Sequence, residues 1–320
     1  MKRVVITGAS GFIGANLTRS LLQDGHEVHL LMREEYTHWR IEDIKKDVRI
    51  HIMNLNDKTE TENLIKTIKP EWIFHLAANG NYSWQNNLEK IIQTNILETI
   101  NLVEACLNAG FEAFVNTGSS SEYGFKDHPP SEYDWLEPNS YYAVAKASAT
   151  LFCRYSAQKN RANISTLRLY AVYGPYEDPR RLLPTLIIKG LKGLFPPLVN
   201  QNIVRDFVYI DDVIDAYQFA AKKSGQEYGA VYNVGSGVQT TLQNVIEVAK
   251  QVMKITDVPH WGSMSDRDWD TSIWIADNQE IKSKLGWRPK YSFENGFHKM
   301  VNWFCNNPSI LEYYRNQIDI

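Results

Sequence analysis

The stretch "VVITGASGFIGANL", Val4 to Leu17, decides how the rest of the chain is read. A β-branched run ends at Thr7, glycines follow at positions 8, 11 and 14, and a helical pattern opens at once. Glycines at a strand-to-helix turn let backbone approach a pyrophosphate, and the helix N-terminus offers unpaired N–H groups and a partial positive charge. Three glycines in isolation fit an ordinary tight turn as well. The preceding strand, the following helix and a second strand, "EVHLLM", at the right distance supply the context that marks a dinucleotide site.

Outward from this turn, short apolar runs alternate with helical patterns: "WIFHLAA", "LETINLVEACLNAG", "AFVNTG", "SYYAVAKASATLFCRYSAQK" and "ISTLRLY". Strands separated by helices indicate βαβ units and a parallel sheet covered on both faces, so the expected class is α/β with a doubly wound sheet. From about Tyr173 the rhythm changes to "GPYEDPRRLLP" and a Pro-rich "FPPLVNQN", then to "RDFVYI", the helix "DDVIDAYQFAAKK" and the strand "AVYNVG". The expected division is a dinucleotide domain over 1–175, with a return of about 204–237, and a smaller α/β lobe over 176–320 closed by a helix around Gly296 to Asn306.

The 320 residues are 43% hydrophobic and 12% aromatic, enough for a substantial core. Lys+Arg 34 against Asp+Glu 37 give a net charge of −3 without long runs of either sign, which disfavours a nucleic-acid partner. Cys106, Cys153 and Cys305 lack CxxC spacing and read as buried thiols in a reducing compartment. The histidines form no ligand-spaced cluster, so no metal is expected. No apolar signal core or membrane-length run stands out, and the cytoplasm is the expected location.

The end of the second strand selects the cofactor. NAD enzymes commonly place a carboxylate there for the ribose hydroxyls, whereas an Arg accommodates the 2′-phosphate of NADP. Met32 occupies the acidic position in "HLLMREE" and Arg33 follows, which favours NADP(H) over NAD(H). The alternative is that Arg33 is a solvated strand end and Glu34 or Glu35 reaches the ribose.

Tyr142 and Lys146 in "SYYAVAK" lie four apart on a long helix and share a face. A phenol ordinarily near 10 needs its pKa lowered to exchange protons at neutral pH, and an adjacent ammonium together with a nicotinamide cation would do so. "VNTGSSSEYG" follows the strand "AFV", placing Ser119 at the C-terminal end of a parallel sheet, where ligands bind. His75 reads as strand-end packing, the tail tryptophans as lobe packing, and Tyr82 and Ser83 in "NGNYSW" as candidates for sugar hydroxyls or as surface loop.

With these residues in place the chain resembles the extended short-chain dehydrogenase/reductases that act on nucleotide sugars. The resemblance spans nearly the whole sequence: TGxxGxxG at Thr7 to Gly14, "HLAA" at His75 to Ala78, Asn95, the Ser-Tyr-Lys set, "YGP" at Tyr173 to Pro175, "RDFVYIDDV" from Arg205, "NVGSG" from Asn233 and "LGWRP" from Leu285. It implies a Rossmann lobe for the dinucleotide, a smaller lobe for the nucleotide sugar, and a homodimer built on the Tyr-Lys helix. Ser119, Tyr142 and Lys146 match the catalytic set. Gly8, Gly11, Phe12, Ile13, Gly14, Arg33, Asn54, Leu55, Leu76, Ala77, Ala78, Asn95 and Tyr170 match cofactor positions, joined by Tyr142 and Lys146. Ser83, Ser120, Ser121, Arg205, Arg267 and Asp270 match substrate positions. Ala171 departs from the family's frequent Asn, so phosphate recognition is shared out differently.

The serines bear on the reaction. Dehydratases of this family carry an Asp or Ser and then a Glu directly after the catalytic Ser/Thr, to move the C5 proton and the C6 hydroxyl. Here Ser120 and Ser121 stand there, Glu122 comes one place late, and an unactivated hydroxyl abstracts protons from carbon poorly. The expected reaction is NADP(H)-dependent reduction of a nucleotide-linked 4-keto-6-deoxy sugar, with 4-epimerisation on tightly held NAD as the alternative and 4,6-dehydration disfavoured. An NADP-sensing scaffold is the non-enzymatic alternative, against which the retained Ser-Tyr-Lys set speaks.

Overall fold

Strands that are apolar along their whole length need cover on both faces, and this chain provides it. The computed structural model describes residues 1–82, 84–223, 227–264 and 273–318. Seven strands form one parallel sheet: β1 (Arg3–Thr7), β2 (Glu27–Met32), β3 (Arg49–Ile52), β4 (Trp72–His75), β5 (Ala113–Ser119), β6 (Ile164–Leu169) and β10 (Val231–Val234). Their order is β10-β6-β5-β4-β1-β2-β3 and every neighbouring pair is parallel. The order reverses between β1 and β4, and in such sheets the crevice at the reversal is where ligands sit. Strand β3, "RIHI", was not foreseen, because its part-exposed edge position gives it a weak apolar signal.

One face is covered by α2 (Lys58–Ile68), α4 (Glu98–Ala109) and α5 (Tyr141–Asn160), over a core that includes Val5, Ile73, Phe114, Leu102 and Cys153. The other is covered by α1 (Phe12–Gln23) and α7 (Ile210–Lys222), and its larger core runs on into the C-terminal third. A short α3 (Leu88–Ile92) joins α4 through a π-helical turn at Gln93–Leu97. The remaining strands form two small pairs, β7 (Ala171–Tyr173) with β9 (Phe207–Tyr209) and β8 (Val204–Arg205) with β11 (Thr240–Thr241). Helices α6 (Leu182–Gly190), α8 (Leu242–Met253), α9 (Phe293–Asn306) and α10 (Pro308–Ile318) complete the chain.

Aromatic side chains weld the C-terminal elements to the sheet. Tyr173, Phe207, Tyr209 and Phe293 pack edge-to-face or tilted at ring separations of 5.1–6.0 Å. Trp287 is buried and its indole N–H donates to the Asp212 carbonyl at 2.9 Å, so this tryptophan is used in packing. Cys106 and Cys153 are buried, whereas Cys305 is exposed on α9, contrary to the expectation of three buried thiols. Among the described residues no helix is long and apolar enough to cross a membrane, and no group of three or more His, Cys, Asp or Glu could hold a metal ion.

Candidate active site

The glycine turn lies at the sheet's reversal, where β1 and β4 run side by side with Thr7 opposite His75. Gly8 has φ +68°, and a Cβ there would stand 2.6 Å from the Leu76 backbone, so both the turn and the neighbouring loop require glycine. A Cβ at Gly14 would run into the Gly8 carbonyl and lie 2.8 Å from the Ala9 Cα. The opening of α1 is thereby drawn against the turn. Phe12 and Ile13 sit half-buried at the start of that helix.

A buried hydrogen-bond chain ties this turn to the middle of the sheet. Thr99 Oγ1 donates to the Asn95 carbonyl at 2.8 Å, so it accepts from His75 Nε2 at 2.9 Å. His75 Nδ1 is then an acceptor and takes the Thr7 hydroxyl at 2.7 Å, while Thr7 Oγ1 accepts from the Leu76 and Ala77 amides at 3.2 and 3.1 Å. Burial pushes the His75 imidazole down to about 3, with the nearby Lys146 charge acting in the same sense, so the ring is neutral. Asn95, in the π-turn, clasps the Asn79 backbone by two bonds of 2.6 and 3.1 Å. π-turns recur at functional sites because they re-aim a side chain within a helix.

Ser119 ends β5 and caps a 3-10 turn over Ser120–Tyr123. Tyr142 lies in the first turn of α5, whose N-cap Ser140 accepts from the Ala143 amide at 3.2 Å, and Lys146 follows one turn on. Burial pushes the Tyr142 phenol up to about 12; the hydrogen-bonding Ser119 side chain and the charge of Arg181 pull it down, and Glu122 pushes it up. Lys146 is 2% exposed, and burial holds its own pKa below the ordinary lysine value. The loop at Gly80 packs on Tyr142, since a Cβ there would come within 3.3 Å of the Tyr142 Cβ.

The serines that follow are local to the turn. Ser121 Oγ lies 2.8 Å from Ser119 Oγ, and Ser120 is buried. Glu122 is fully buried: one oxygen accepts from the Ser119 amide at 2.8 Å and Thr150 Oγ1 at 3.0 Å, the other from Arg168 Nε at 2.8 Å. The turn is therefore wound rather than extended, and the late glutamate is spent on an internal ion pair.

At the far end of the crevice, Arg33 is exposed just beyond β2, and Asn54 and Leu55 follow β3, the first exposed and the second buried. Leu76, Ala77 and Ala78 form a half-buried loop after β4. Tyr170 is buried with its hydroxyl unpartnered. On the C-terminal side, Arg205 Nη1 donates to the Val204 carbonyl at 2.7 Å and its guanidinium lies 5.6 Å from the Trp274 ring. Asp206 beside it accepts from the amides of Ser236, Gly237 and Ala276 at 2.6–3.0 Å, which fixes these loops together. Ser83, Arg267 and Asp270 lie outside the described residues.

Sequence reading did not single out Thr7, Thr99, Asn79 or Arg181, since each acts through partners far along the chain. Arg181 lies 4.8 Å over Tyr82, whose ring stacks on Trp84 at 4.5 Å, and Arg180 covers Trp84 at 3.8 Å. This stack joins the loop after β4 to the start of α6 beside Tyr142.

Residues 4–235 match the model of the NAD dependent epimerase/dehydratase family. The chain belongs to this family. It is 30% identical over 321 residues to UDP-glucose 4-epimerase of Mycolicibacterium smegmatis, covering 95% of this chain and 99% of that one. It is 26% identical over 334 residues to a trifunctional UDP-glucose 4,6-dehydratase/UDP-4-keto-6-deoxy-D-glucose 3,5-epimerase/UDP-4-keto-L-rhamnose-reductase of Arabidopsis thaliana, covering 96% of this chain and 47% of that protein. The chain thus spans about half the length of that relative. The structure of Thermus thermophilus UDP-glucose 4-epimerase in complex with NAD superposes with a TM-score of 0.82 at 27% identity, over 94% of this chain and 98% of that one. The residues present here fit a dinucleotide: Gly8 and Gly14 leave no room for side chains at the turn, and Asn79 Oδ1, buried beside Asn95, has no hydrogen-bond partner.

Proposed function

We propose that this protein exchanges hydride at C4 of a nucleotide-activated sugar, most directly by NADP(H)-dependent reduction of a 4-keto-6-deoxy sugar nucleotide. The observation that carries the reading is the grouping of Ser119, at the carboxyl end of β5, with Tyr142 and Lys146 on α5, while Glu122 is withdrawn into the Arg168 pair. A bound dinucleotide, held by Gly8, Gly11 and Gly14 at the turn and by Tyr142 and Lys146 near its reactive end, supplies the hydride acceptor or donor. Ser119 Oγ then holds the C4 oxygen and Tyr142 Oη gives it a proton in reduction, or takes one in oxidation. Lys146, one helical turn on from Tyr142 and buried, is the cation of the set. Ser120 and Ser121 have no base to activate them for abstraction at C5.

Arg33, exposed just past Met32, is of the residue type that accommodates a 2′-phosphate, which supports NADP(H). Epimerisation on retained NAD is the second reading, favoured by the likeness to UDP-glucose 4-epimerases, one of them solved with NAD. The resembling family's division of labour assigns the dinucleotide to residues 1–175 with 204–237 and the sugar nucleotide to the rest, joined by Arg205 from the returning segment. A homodimer is supported by α5, where Tyr141, Val144, Leu151 and Tyr155 share one exposed stripe, with Leu88, Ile92 and Leu97 exposed on the neighbouring helices.

The test is to identify cofactor released from purified protein, then to supply NADPH with 4-keto-6-deoxy sugar nucleotides and follow absorbance. Stoichiometric NADPH consumption with a reduced sugar product supports reduction. Interconversion of UDP-glucose and UDP-galactose without net cofactor change supports epimerisation and removes the reductase reading.

A further inference from the structure

The adenosine end of the crevice contains a carboxylate that no motif announces. Glu98 opens α4 directly after the π-turn and is 4% exposed. Its Oε1 accepts from Asn56 Nδ2 at 2.9 Å, and one turn on, Asn101 Nδ2 donates to the Leu55 carbonyl at 3.0 Å. The first turn of α4 therefore holds the loop after β3. That loop also reaches the end of β2, for the Met53 amide donates to the Met32 carbonyl at 2.8 Å. Arg33 is the next residue, and it is the foremost charge acting on Glu98, ahead of Lys90.

A buried carboxylate in this place acts on a bound adenosine in two ways. It draws on the field of Arg33, and it repels any second anion placed there. A ribose 2′-hydroxyl suffers neither effect, whereas a 2′-phosphate suffers both. Burial pushes the Glu98 carboxyl up to about 7, so the group is largely ionised only above neutral pH. Carboxylate charge in a partly desolvated site is screened less than at an exposed surface.

We infer that Glu98 is a cofactor-specificity residue: seated on Asn56, in the loop that Met53 ties to the end of β2 just before Arg33, its carboxylate weakens the hold of Arg33 on an adenosine 2′-phosphate. The inference rests on the dinucleotide reading above and deepens its cofactor assignment. It assigns the choice between NAD(H) and NADP(H) to the balance of Arg33 and Glu98 instead of to the strand-end residue by itself.

The experiment is calorimetric titration of the full chain at pH 8 with adenosine 2′,5′-bisphosphate and with adenosine 5′-monophosphate, for wild type and Glu98→Gln. The amide keeps an acceptor for Asn56 and removes the charge. The expected result is roughly fivefold tighter 2′,5′-bisphosphate binding in the variant, from a screened repulsion of about 1 kcal/mol, with 5′-monophosphate affinity unchanged within about twofold. Equal changes for both ligands, or no change for either, overturn the inference. Glu98→Ala, checked by its melting curve, repeats the comparison if the amide variant folds poorly. A wild type that prefers the 5′-monophosphate while Glu98→Gln selectively gains the bisphosphate upholds the inference and removes the NADP(H) preference. Binding of neither ligand to wild type removes the dinucleotide reading, and the inference with it.

Discussion

Arg168 Nε lies 2.8 Å from Glu122 Oε2, and both side chains are buried between β6 and the turn after Ser119, at 4% and 0% exposure. The Arg168 guanidinium also covers the Tyr123 ring at 4.6 Å and donates to its hydroxyl at 2.8 Å. This pair fixes the winding of the serine turn and ties up the carboxylate that bonds the Ser119 amide. Replacing Arg168 with Met should leave Glu122 buried and unpaired. The expected cost is about 3–5 kcal/mol in denaturant unfolding, far above that of an exposed ion pair. A loss below about 1 kcal/mol would show that the pair does not hold the turn.

Tyr142→Phe should bind nucleotide with wild-type affinity and lose at least about 100-fold in kcat, the usual share of a positioned acid or base. The removed hydroxyl meets Ser119, and the Tyr142 Cβ that packs against Gly80 remains. Retained turnover in this variant would eliminate the proton-transfer role.

Glu177 predicts a dependence of stability on pH. It is buried, its Oε2 has no hydrogen-bond partner, and burial pushes its carboxyl up to about 8 while Arg181 opposes the shift. A raised folded-state pKa means that the native chain holds the proton more tightly than the unfolded one. The contribution to stability is therefore full below the unfolded value, near 4.5, and is lost as pH rises toward 8. Glu98 and Glu132, each pushed up to about 7, titrate in the same window, so the difference between variant and wild type isolates Glu177. Glu177→Gln should melt higher than wild type at pH 8, by a margin that shrinks toward pH 5. A constant margin across that range would contradict the assignment.

The α5 stripe predicts an oligomeric state. Leu151 is 57% exposed at its centre, with Tyr155 one turn away at 62%. Leu151→Glu should convert a dimer to a monomer in light scattering with little change in the unfolding of the isolated chain, since the side chain is solvated in the monomer. A wild type that is already monomeric at micromolar concentration would rule out this interface.

Local chemistry made much of this legible from the sequence. The Gly14 requirement comes from the turn itself, so a short quotation contains its cause, whereas Gly8 is also held to glycine by the Leu76 backbone across the sheet. Tyr142 and Lys146 share a face because helical spacing alone puts them there. The strands β1, β4, β5 and β6 announce themselves because parallel strands covered on both faces must be apolar throughout. What stayed hidden depended on partners far apart in the chain. Nothing near Glu122 indicates that Arg168, on another strand, will neutralise it. The Thr7–His75–Thr99 chain joins a strand end, its neighbour and a helix, so His75 read as packing until its two ring partners were seen.

The sequence by itself determined a doubly wound α/β chain with a glycine turn at its first crossover and a Ser-Tyr-Lys set beyond the carboxyl end of a strand, because each follows from local sequence. Tertiary structure decided the electrostatics. It buried the Tyr142 phenol, made His75 neutral, consumed Glu122 and put Glu98 within the field of Arg33. The reason is that desolvation and Coulomb interactions are set by distance in space, and folding alone brings those groups together and takes them out of water.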